Sequence, residues 1–431
     1  MAEDALFSIA GEIIKKLGSL AYQEVALWWG LKDQLLKLNG TVTRIKAVIQ
    51  DAEEQVQKQK QNNQIKDWLK KLREAVYDAE DLLDDFSTQV LRKQLMSGKQ
   101  TSREVRLFFS RSNQFMYGLR MGHNIKALRE RLDDIQTDSI KFKFDVRGEE
   151  RASSTPFREQ TTSSERDVII GREESTIVEH EGKTTSSGVT RHVSCDMKLD
   201  LSQQTLIHLP FAKHLRTLVL LQGGKWGVGA WESICRDFRC LRVLVLSHLG
   251  IKEVSPLIEK LKHLKYLDLS NNWMRVLPNS ITDLVNLQVL KLNGCKYLME
   301  LPRAHNEDET TKVGLQNLSS LQKLLIDECP RLKSLPLHDQ GMPSLHTLVI
   351  SGCRELKSLS ESKSQTMIPH LPSLQELRII GLSEELNRGW GKESEEVWPN
   401  IKHIPNIIIN RFYIQKKGRY VEGEGLRWES M

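Results

Sequence analysis

Leu264-Lys265-Tyr266-Leu267-Asp268-Leu269-Ser270-Asn271-Asn272 decides the fold of the larger part of this chain. Leu267 and Leu269 alternate with non-leucine residues, the period-two pattern of a strand with one buried face. The same Leu-x-x-Leu-x-Leu pattern, or a close variant, opens at Leu215, Leu241, Leu287, Leu321, Leu345 and Leu374. Successive openings, Leu264 included, lie 26, 23, 23, 34, 24 and 29 residues apart, and the 34-residue step holds a polar insertion, Arg303 to Lys312. Leu-Pro steps recur between openings at Leu277-Pro278, Leu301-Pro302 and Leu335-Pro336. A strand this short cannot bury its leucines alone. Stacking regular copies does so, and the pattern predicts a solenoid with a continuous leucine core.

The spacing fits leucine-rich repeats. Within each strand the residues between the leucines face the opposite side and form a concave surface. These are Thr217, Val219, Val243, Val245, Tyr266, Asp268, Val289, Lys291, Lys323, Leu325, Thr347, Val349, Glu376 and Arg378. Their mixture of apolar and charged groups suits a protein partner. Tyr266, Asp268, Lys291, Lys323 and Arg378 are the candidate binding residues. Asn272, Cys295, Cys329 and Cys353 each lie eight residues after a repeat-opening leucine. A small polar side chain there can bond to backbone of a neighbouring repeat, and a thiol is a weak donor that tolerates burial. No Cys-x-x-Cys or Cys/His cluster is present, so no metal site is expected.

Residues before about 140 have a different texture. Leu6, Ile9, Ile13, Leu17 and Leu20 recur at three- and four-residue steps, as do Leu31, Leu35, Leu38, Val42, Ile45 and Ile49. Ile65, Trp68, Leu69, Leu72, Val76, Ala79, Leu82, Leu83 and Phe86 continue the pattern, and Ile125, Leu128, Leu132 and Ile135 close it. Four amphipathic helices, each with one apolar stripe, pack together as a bundle. Residues 87–120 read as loop, with the third helix ending near Met96-Ser97-Gly98. The expected fold class is therefore multidomain, an N-terminal all-α four-helix bundle plus a C-terminal α/β leucine-rich-repeat solenoid, or horseshoe. The boundaries are bundle 1–140, polar linker 141–190, repeats 191–410 and a tail at 411–431.

The third helix carries the most one-signed run. Glu74, Asp78, Glu80, Asp81, Asp84 and Asp85 occur with no Lys or Arg between them. Like charges on one face repel, and a basic partner surface would relieve that cost. Elsewhere charge is balanced. The net charge is +6 in 431 residues, too small and too dispersed for a dedicated nucleic-acid binder. No apolar run approaches the roughly 18 residues that span a bilayer, and Glu3 and Asp4 argue against a secretory signal. Six cysteines make no disulfide framework. A cytoplasmic location is expected, with a peripheral position at the plasma membrane as the alternative. The apolar face of the first helix reads as bundle core rather than as a membrane-surface helix, so no membrane association is expected at rest.

Glu80-Asp81-Leu82-Leu83-Asp84 resembles the acidic motif of the N-terminal coiled-coil domain in plant intracellular nucleotide-binding leucine-rich-repeat disease resistance proteins, the Rx type. Ala5-Leu6-Phe7-Ser8-Ile9-Ala10 and Ile65-Lys66-Asp67-Trp68-Leu69 are similar to the same domain. Val168-Ile169-Ile170-Gly171-Arg172-Glu173 resembles the approach to that family's nucleotide-binding domain, and Arg191-His192-Val193-Ser194 the stretch before its repeats. Trp398-Pro399-Asn400-Ile401-Lys402-His403-Ile404-Pro405-Asn406-Ile407 resembles its C-terminal close. The resemblance implies repeats that recognise a pathogen effector or a guarded host protein. It implies that Glu80, Asp81, Leu82, Leu83 and Asp84 dock on a basic surface, in this chain or in a paired full-length receptor.

The departure from the family is as informative. Members carry a nucleotide-binding ATPase module between bundle and repeats, whereas 17 residues separate Glu173 from Arg191 here. Gly182-Lys183-Thr184 looks like the tail of a phosphate-binding loop, but the loop's first glycine would fall at Ile177. These three residues read as a non-functional remnant. The ADP/ATP site is expected to be lost, with no cofactor, no catalytic residue and no enzymatic activity. Two readings follow. One is a plant innate immune protein that binds partners without a working nucleotide switch. The other is a truncated or mispredicted product of a full receptor, with residual or no activity.

Overall fold

The computed structural model describes residues 3–19, 30–58, 63–97, 111–140, 175–177, 192–196, 200–201, 215–221, 225–302, 314–337, 342–360, 368–381, 390, 394, 397–410 and 412–425. The chain divides into two compact units, helical up to residue 140 and sheet-based from residue 175.

The first unit holds four helices, α1 (Glu3–Gly18), α2 (Lys32–Lys58), α3 (Asn63–Ser97) and α4 (Arg111–Ile140). Their stripes meet in one core. Leu6, Ile13 and Leu17 of α1 are buried with Leu38, Val42 and Ile45 of α2, Leu72, Leu83 and Phe86 of α3, and Ile125 and Leu132 of α4. Burial at this level contributes about 1.5–3 kcal/mol per large side chain, which is why the stripes rather than local propensity fix these helices. The Trp68 indole adds a polar tie, donating to the Ile135 carbonyl at 2.8 Å. The third helix ends where Met96-Ser97-Gly98 placed it, but the loop expected over 87–120 is corrected, since residues 87–97 and 111–120 are helical. The third helix runs on to Ser97 and the fourth begins at Arg111. The added helical turns find partners, since Thr88 is buried and Tyr117 packs on the core.

The second unit is built on a 12-stranded sheet. Its strands are β1 (Ser175–Ile177), β2 (His192–Asp196), β4 (Thr217–Leu221), β6 (Val243–Val245), β7 (Tyr266–Asp268), β8 (Val289–Lys291), β9 (Lys323–Asp327), β11 (Thr347–Ser351), β13 (Glu376–Ile380), β14 (Asn406–Ile409), β15 (Phe412–Lys416) and β16 (Arg419–Gly425). Each pairs with the next, in parallel through β14 and antiparallel afterwards. Smaller pairings join β3 (Asp200–Leu201) to β5 (Lys225–Trp226), and β10 (Ser334–Leu337) to β12 (Ser358–Ser360). Two helices among the described residues, α5 (Val228–Asp237) and the short α6 (Trp398–Ile401), and 3-10 turns at Pro256–Lys260, Asn279–Asp283 and Leu315–Asn317 complete the core.

The register places Leu218, Leu244, Leu267, Leu290, Leu324, Leu348 and Leu377 in one column, each fully buried. The column extends past the sequence pattern at both ends, to Val193 of β2 and Ile407 of β14. Strand β1 therefore lies within residues assigned to the linker, and the sheet continues into the tail assigned to 411–431 as the hairpin β15–β16. That hairpin turns at Lys417 and Gly418, both with positive φ (50° and 77°). This is the backbone that matches a two-residue turn to strand twist, and glycine adopts it without strain.

At Asn272, Cys295 and Cys329 the slot eight residues after the opening leucine bonds to a neighbouring repeat as expected, whereas Cys353 donates to the Ser351 carbonyl of its own repeat. The Asn272 carboxamide is buried, accepts from the Leu249 and Ile251 amides at 3.2 and 3.0 Å, and donates to the Leu246 and Leu269 carbonyls at 2.7 and 2.9 Å. Cys295 donates to the Leu269 carbonyl at 3.4 Å and Cys329 to the Leu292 carbonyl at 2.9 Å. The adjacent Cys295 and Cys353 thiols, together with burial, push the Cys329 thiol pKa up. Burial pushes that of Cys235 up to about 12.

Two outcomes follow. Asn272→Leu removes partners from two amides and two carbonyls, and should cost about 2–5 kcal/mol in denaturant unfolding, at ~1–3 kcal/mol per buried group with partial relaxation. In native labelling with iodoacetamide near pH 8, half-exposed Cys240 should react before buried Cys235, Cys295, Cys329 and Cys353, read by peptide mass mapping.

Candidate functional site

Parallel pairing carries the residues between the leucines into two rows on the open face of the sheet. One row runs Thr217, Val243, Tyr266, Val289, Lys323, Thr347 and Glu376. The other runs Val219, Val245, Asp268, Lys291, Leu325, Val349 and Arg378. Neighbours within a row stand one strand spacing apart, about 4.8 Å.

The rows are graded in character. Toward β4 they are aliphatic, with Val219, Val243, Val245 and Val289. From β7 onward charged residues, Asp268, Lys291, Lys323, Glu376 and Arg378, alternate with Leu325, Thr347 and Val349. Lys291 sits over the Tyr266 ring at 5.3 Å from its centroid, close enough for a cation–π contact. Tyr266 itself is buried beneath this cover. The Asp268 carboxylate accepts from the Ser270 amide at 2.9 Å, which fixes its direction. Arg378 and Glu376, two residues apart on one strand, form an ion pair at 2.8 Å. Lys323 stands in register between Val289 and Thr347.

Besides Tyr266, two expected outward residues are more enclosed than an open face implies. Thr217 and Val219 are buried, and the His192 ring of β2 contacts the Thr217 hydroxyl at 2.9 Å. A third row went unread in the sequence. Strands β9, β11 and β13 each run to five residues, bringing Asp327, Ser351 and Ile380 into register. The alternation past the sixth motif position, as in Leu324-Leu325-Ile326-Asp327, was the signal.

The acidic run on α3 departs from its expected presentation. Leu83 is fully buried in the bundle core, and Glu80 and Asp84 are also buried. Asp84 pairs with Lys16 of α1 at 3.0 Å. Arg131 of α4 reaches Asp78 at 2.6 Å and Glu74 at 3.3 Å, and the Tyr117 hydroxyl donates to Asp85 at 3.1 Å. The like-charge cost inferred from the sequence is met by cations of the same bundle. Of the five motif residues, Asp81 and Leu82 remain half-exposed. Gly182, Lys183 and Thr184 lie outside the described residues.

Comparison with known proteins finds a match in each unit. Residues 9–116 match the Rx N-terminal domain and residues 214–426 match a leucine-rich repeat region. RGA4 of Solanum bulbocastanum is 28% identical over 161 residues, which is 37% of this chain and 15% of that protein. The disease resistance protein RGA2 of the same species is 34% identical over 80 residues, covering 19% of this chain and 8% of that protein. The disease resistance protein Pik-2 of Oryza sativa subsp. japonica is 29% identical over 87 residues, 20% of this chain and 8% of that protein. The chain thus spans at most 15% of the length of these relatives.

Asp84→Ala leaves Lys16 without its buried partner and should destabilise the bundle by about 1–3 kcal/mol. Asp67→Ala, which breaks the exposed pair with Lys71, should cost no more than about 0.5 kcal/mol. Thermal unfolding followed by circular dichroism separates the two.

Proposed function

Since the chain carries an Rx N-terminal domain and a leucine-rich repeat region and is a relative of plant disease resistance proteins, we propose that it is a plant innate immune protein whose repeats bind a pathogen effector or a guarded host protein. The observation that carries this reading is the unbroken register of the open face. It holds aliphatic rows and the Tyr266–Asp268–Lys291 cluster on one rigid sheet. A surface with a partly desolvated aromatic, fixed charges and little rotamer freedom is suited to recognition. Tyr266, Asp268, Lys291, Lys323 and Arg378 are its proposed contact residues, and the role is binding rather than catalysis.

The acidic motif is assigned a second, smaller contact. With Glu80, Leu83 and Asp84 directed into the bundle, Asp81 and Leu82 are the residues left to meet a basic surface, such as one on a paired full-length receptor. The nucleotide switch is proposed to be lost. Ile177 stands where a phosphate loop needs glycine, and Ser175–Ile177 is itself a strand of the repeat sheet, paired with β2. The protein then serves as an adaptor or decoy that cannot switch by itself. The competing reading, a truncated or mispredicted product of a full receptor, rests on the 17-residue interval between Glu173 and Arg191. A long-read transcript across that interval decides between them. The short form supports the adaptor reading. A transcript restoring a complete phosphate loop overturns it.

Against a panel of effectors and host proteins, a partner that binds the full chain should lose at least about tenfold in affinity on Lys291→Glu or Asp268→Lys. Retention of affinity in both variants would move the contact off this face. Millimolar ADP or ATP with Mg2+ should leave the melting temperature unchanged, because a ligand that binds only the folded state must raise it. A rise abolished by Lys183→Ala would restore the switch.

A further inference from the structure

Two cysteines of adjacent repeats, Cys329 and Cys353, are held side by side by backbone. Strands β9 and β11 pair in register from Lys323–Thr347 to Asp327–Ser351. Bonds between the same two repeats bracket the cysteines. The Glu328 amide donates to the Ser351 carbonyl at 2.9 Å just before them, and the Glu355 amide to the Pro330 carbonyl at 3.0 Å just after. The backbones press together at this step, where a Cβ on Gly352 (φ 64°) would meet the Glu328 amide nitrogen and Cα at 3.2 Å. Such a ladder sets the two cysteine Cα atoms about 4.8 Å apart, one strand spacing. A disulfide spans ~4.4–6.8 Å.

Both side chains are fully buried, and the Cys329 thiol is in hydrogen-bond contact with that of Cys353. Cys295 touches Cys329 from the other side. The Cys329 hydrogen bond pulls both outer thiol pKa values down, so anchoring rather than ionisation separates the two. Linking Cys329 to Cys295 gives up the bonds to the Leu269 and Leu292 carbonyls, both of which join repeats. Linking it to Cys353 gives up the Leu292 bond and one within a repeat, to the Ser351 carbonyl at 3.4 Å.

We infer that Cys329 and Cys353 form a modification site, a thiol pair that hydrogen peroxide converts to a disulfide stapling two adjacent repeats. The Cys353 thiolate attacks one peroxide oxygen. The S–O bond forms, the O–O bond breaks, and the departing hydroxide takes up the proton that the thiol released. The Cys329 sulfur then attacks the Cys353 sulfenic sulfur. The S–S bond forms, the S–O bond breaks, and a second water leaves with the Cys329 proton. Two thiols lose two electrons and two protons, and one peroxide becomes two waters. Burial slows the reaction and selects the oxidant. A molecule little larger than water can enter where a bulky disulfide cannot.

The test treats the folded full chain with hydrogen peroxide, caps the remaining thiols with iodoacetamide in denaturant, and maps a non-reduced tryptic digest. Peptides 324–331 and 334–354, which carry Cys329 and Cys353, should appear joined and separate on reduction. Half-exposed Cys240 reports that the oxidant has acted. The oxidised chain should lose at least about 3 °C of melting temperature when dithiothreitol opens the link, because the link closes a loop in the unfolded chain. Cys295→Ser should leave both results unchanged, and Cys353→Ser should abolish both. The joined peptides of the unaltered chain carry the test should Cys353→Ser fold poorly. Oxidised Cys240 beside unreacted Cys329 and Cys353, a link from Cys329 to Cys295 instead, or joined peptides whose reduction leaves the melting temperature unchanged would overturn the inference.

Discussion

Everything in the larger unit depends on one column of side chains, Leu218, Leu244, Leu267, Leu290, Leu324, Leu348 and Leu377, each with no exposed surface. Each strand is three to five residues long. None could persist alone in water. Parallel stacking solves this, because each leucine is covered by its neighbours in the repeats before and after. The same stacking fixes the register, since a slip of one residue would turn the whole column outward. Once register is fixed, the residues between the leucines have no choice of face. The open face proposed for recognition is thus a by-product of core burial.

Stacking creates a second demand, because every repeat leaves a sharp turn whose backbone groups are buried. Asn272 meets four of them with one carboxamide. Later repeats use cysteine at the equivalent place, where Cys295 and Cys329 each donate to a carbonyl of the preceding repeat. A thiol satisfies fewer groups than a carboxamide but costs less to bury. Raised pKa values at Cys235 and Cys329 keep these thiols neutral at ordinary pH. For Cys235 the stability contribution is complete below the thiol's unfolded value near 9 and is lost as pH climbs toward about 12.

The repeats were readable in the sequence because leucine spacing reports burial directly. The helical stripes were readable for the same reason, and Leu6, Ile13, Leu72 and Ile125 fall in the core as their periodicity requires. What sequence spacing could not supply was pairing between distant segments. The acidic run on α3 looked unbalanced because Lys16 and Arg131 lie 68 and 53 residues from their partners Asp84 and Asp78. Only the packing of helices far apart in sequence brings them together. The hairpin at the C-terminal end was hidden similarly, as its Lys417-Gly418 turn lacks the Asn-Gly or Asp-Gly pair that marks such turns. The exposed Trp273 and Tyr297 were invisible too. Aromatic residues outside a leucine motif have no assigned face until the turn after each strand is known.

That hairpin also answers a problem common to stacked repeats. A solenoid must end, and its last strand would expose both a leucine column and an unpaired edge. Here β14 supplies Ile407 and Ile409 to the core, and the chain then reverses to lay β15 and β16 alongside. The Gln415 carboxamide donates to the Lys402 and Ile404 carbonyls at 3.0 and 2.9 Å, tying the hairpin to the last turn of the repeats. Trp398 and Tyr420 meet edge to face with centroids 5.5 Å apart, closing the same joint. Switching from parallel to antiparallel pairing ends the repeat geometry without leaving the leucine column open. A strand that continued in parallel would have needed another covering turn, and then another strand to cover that.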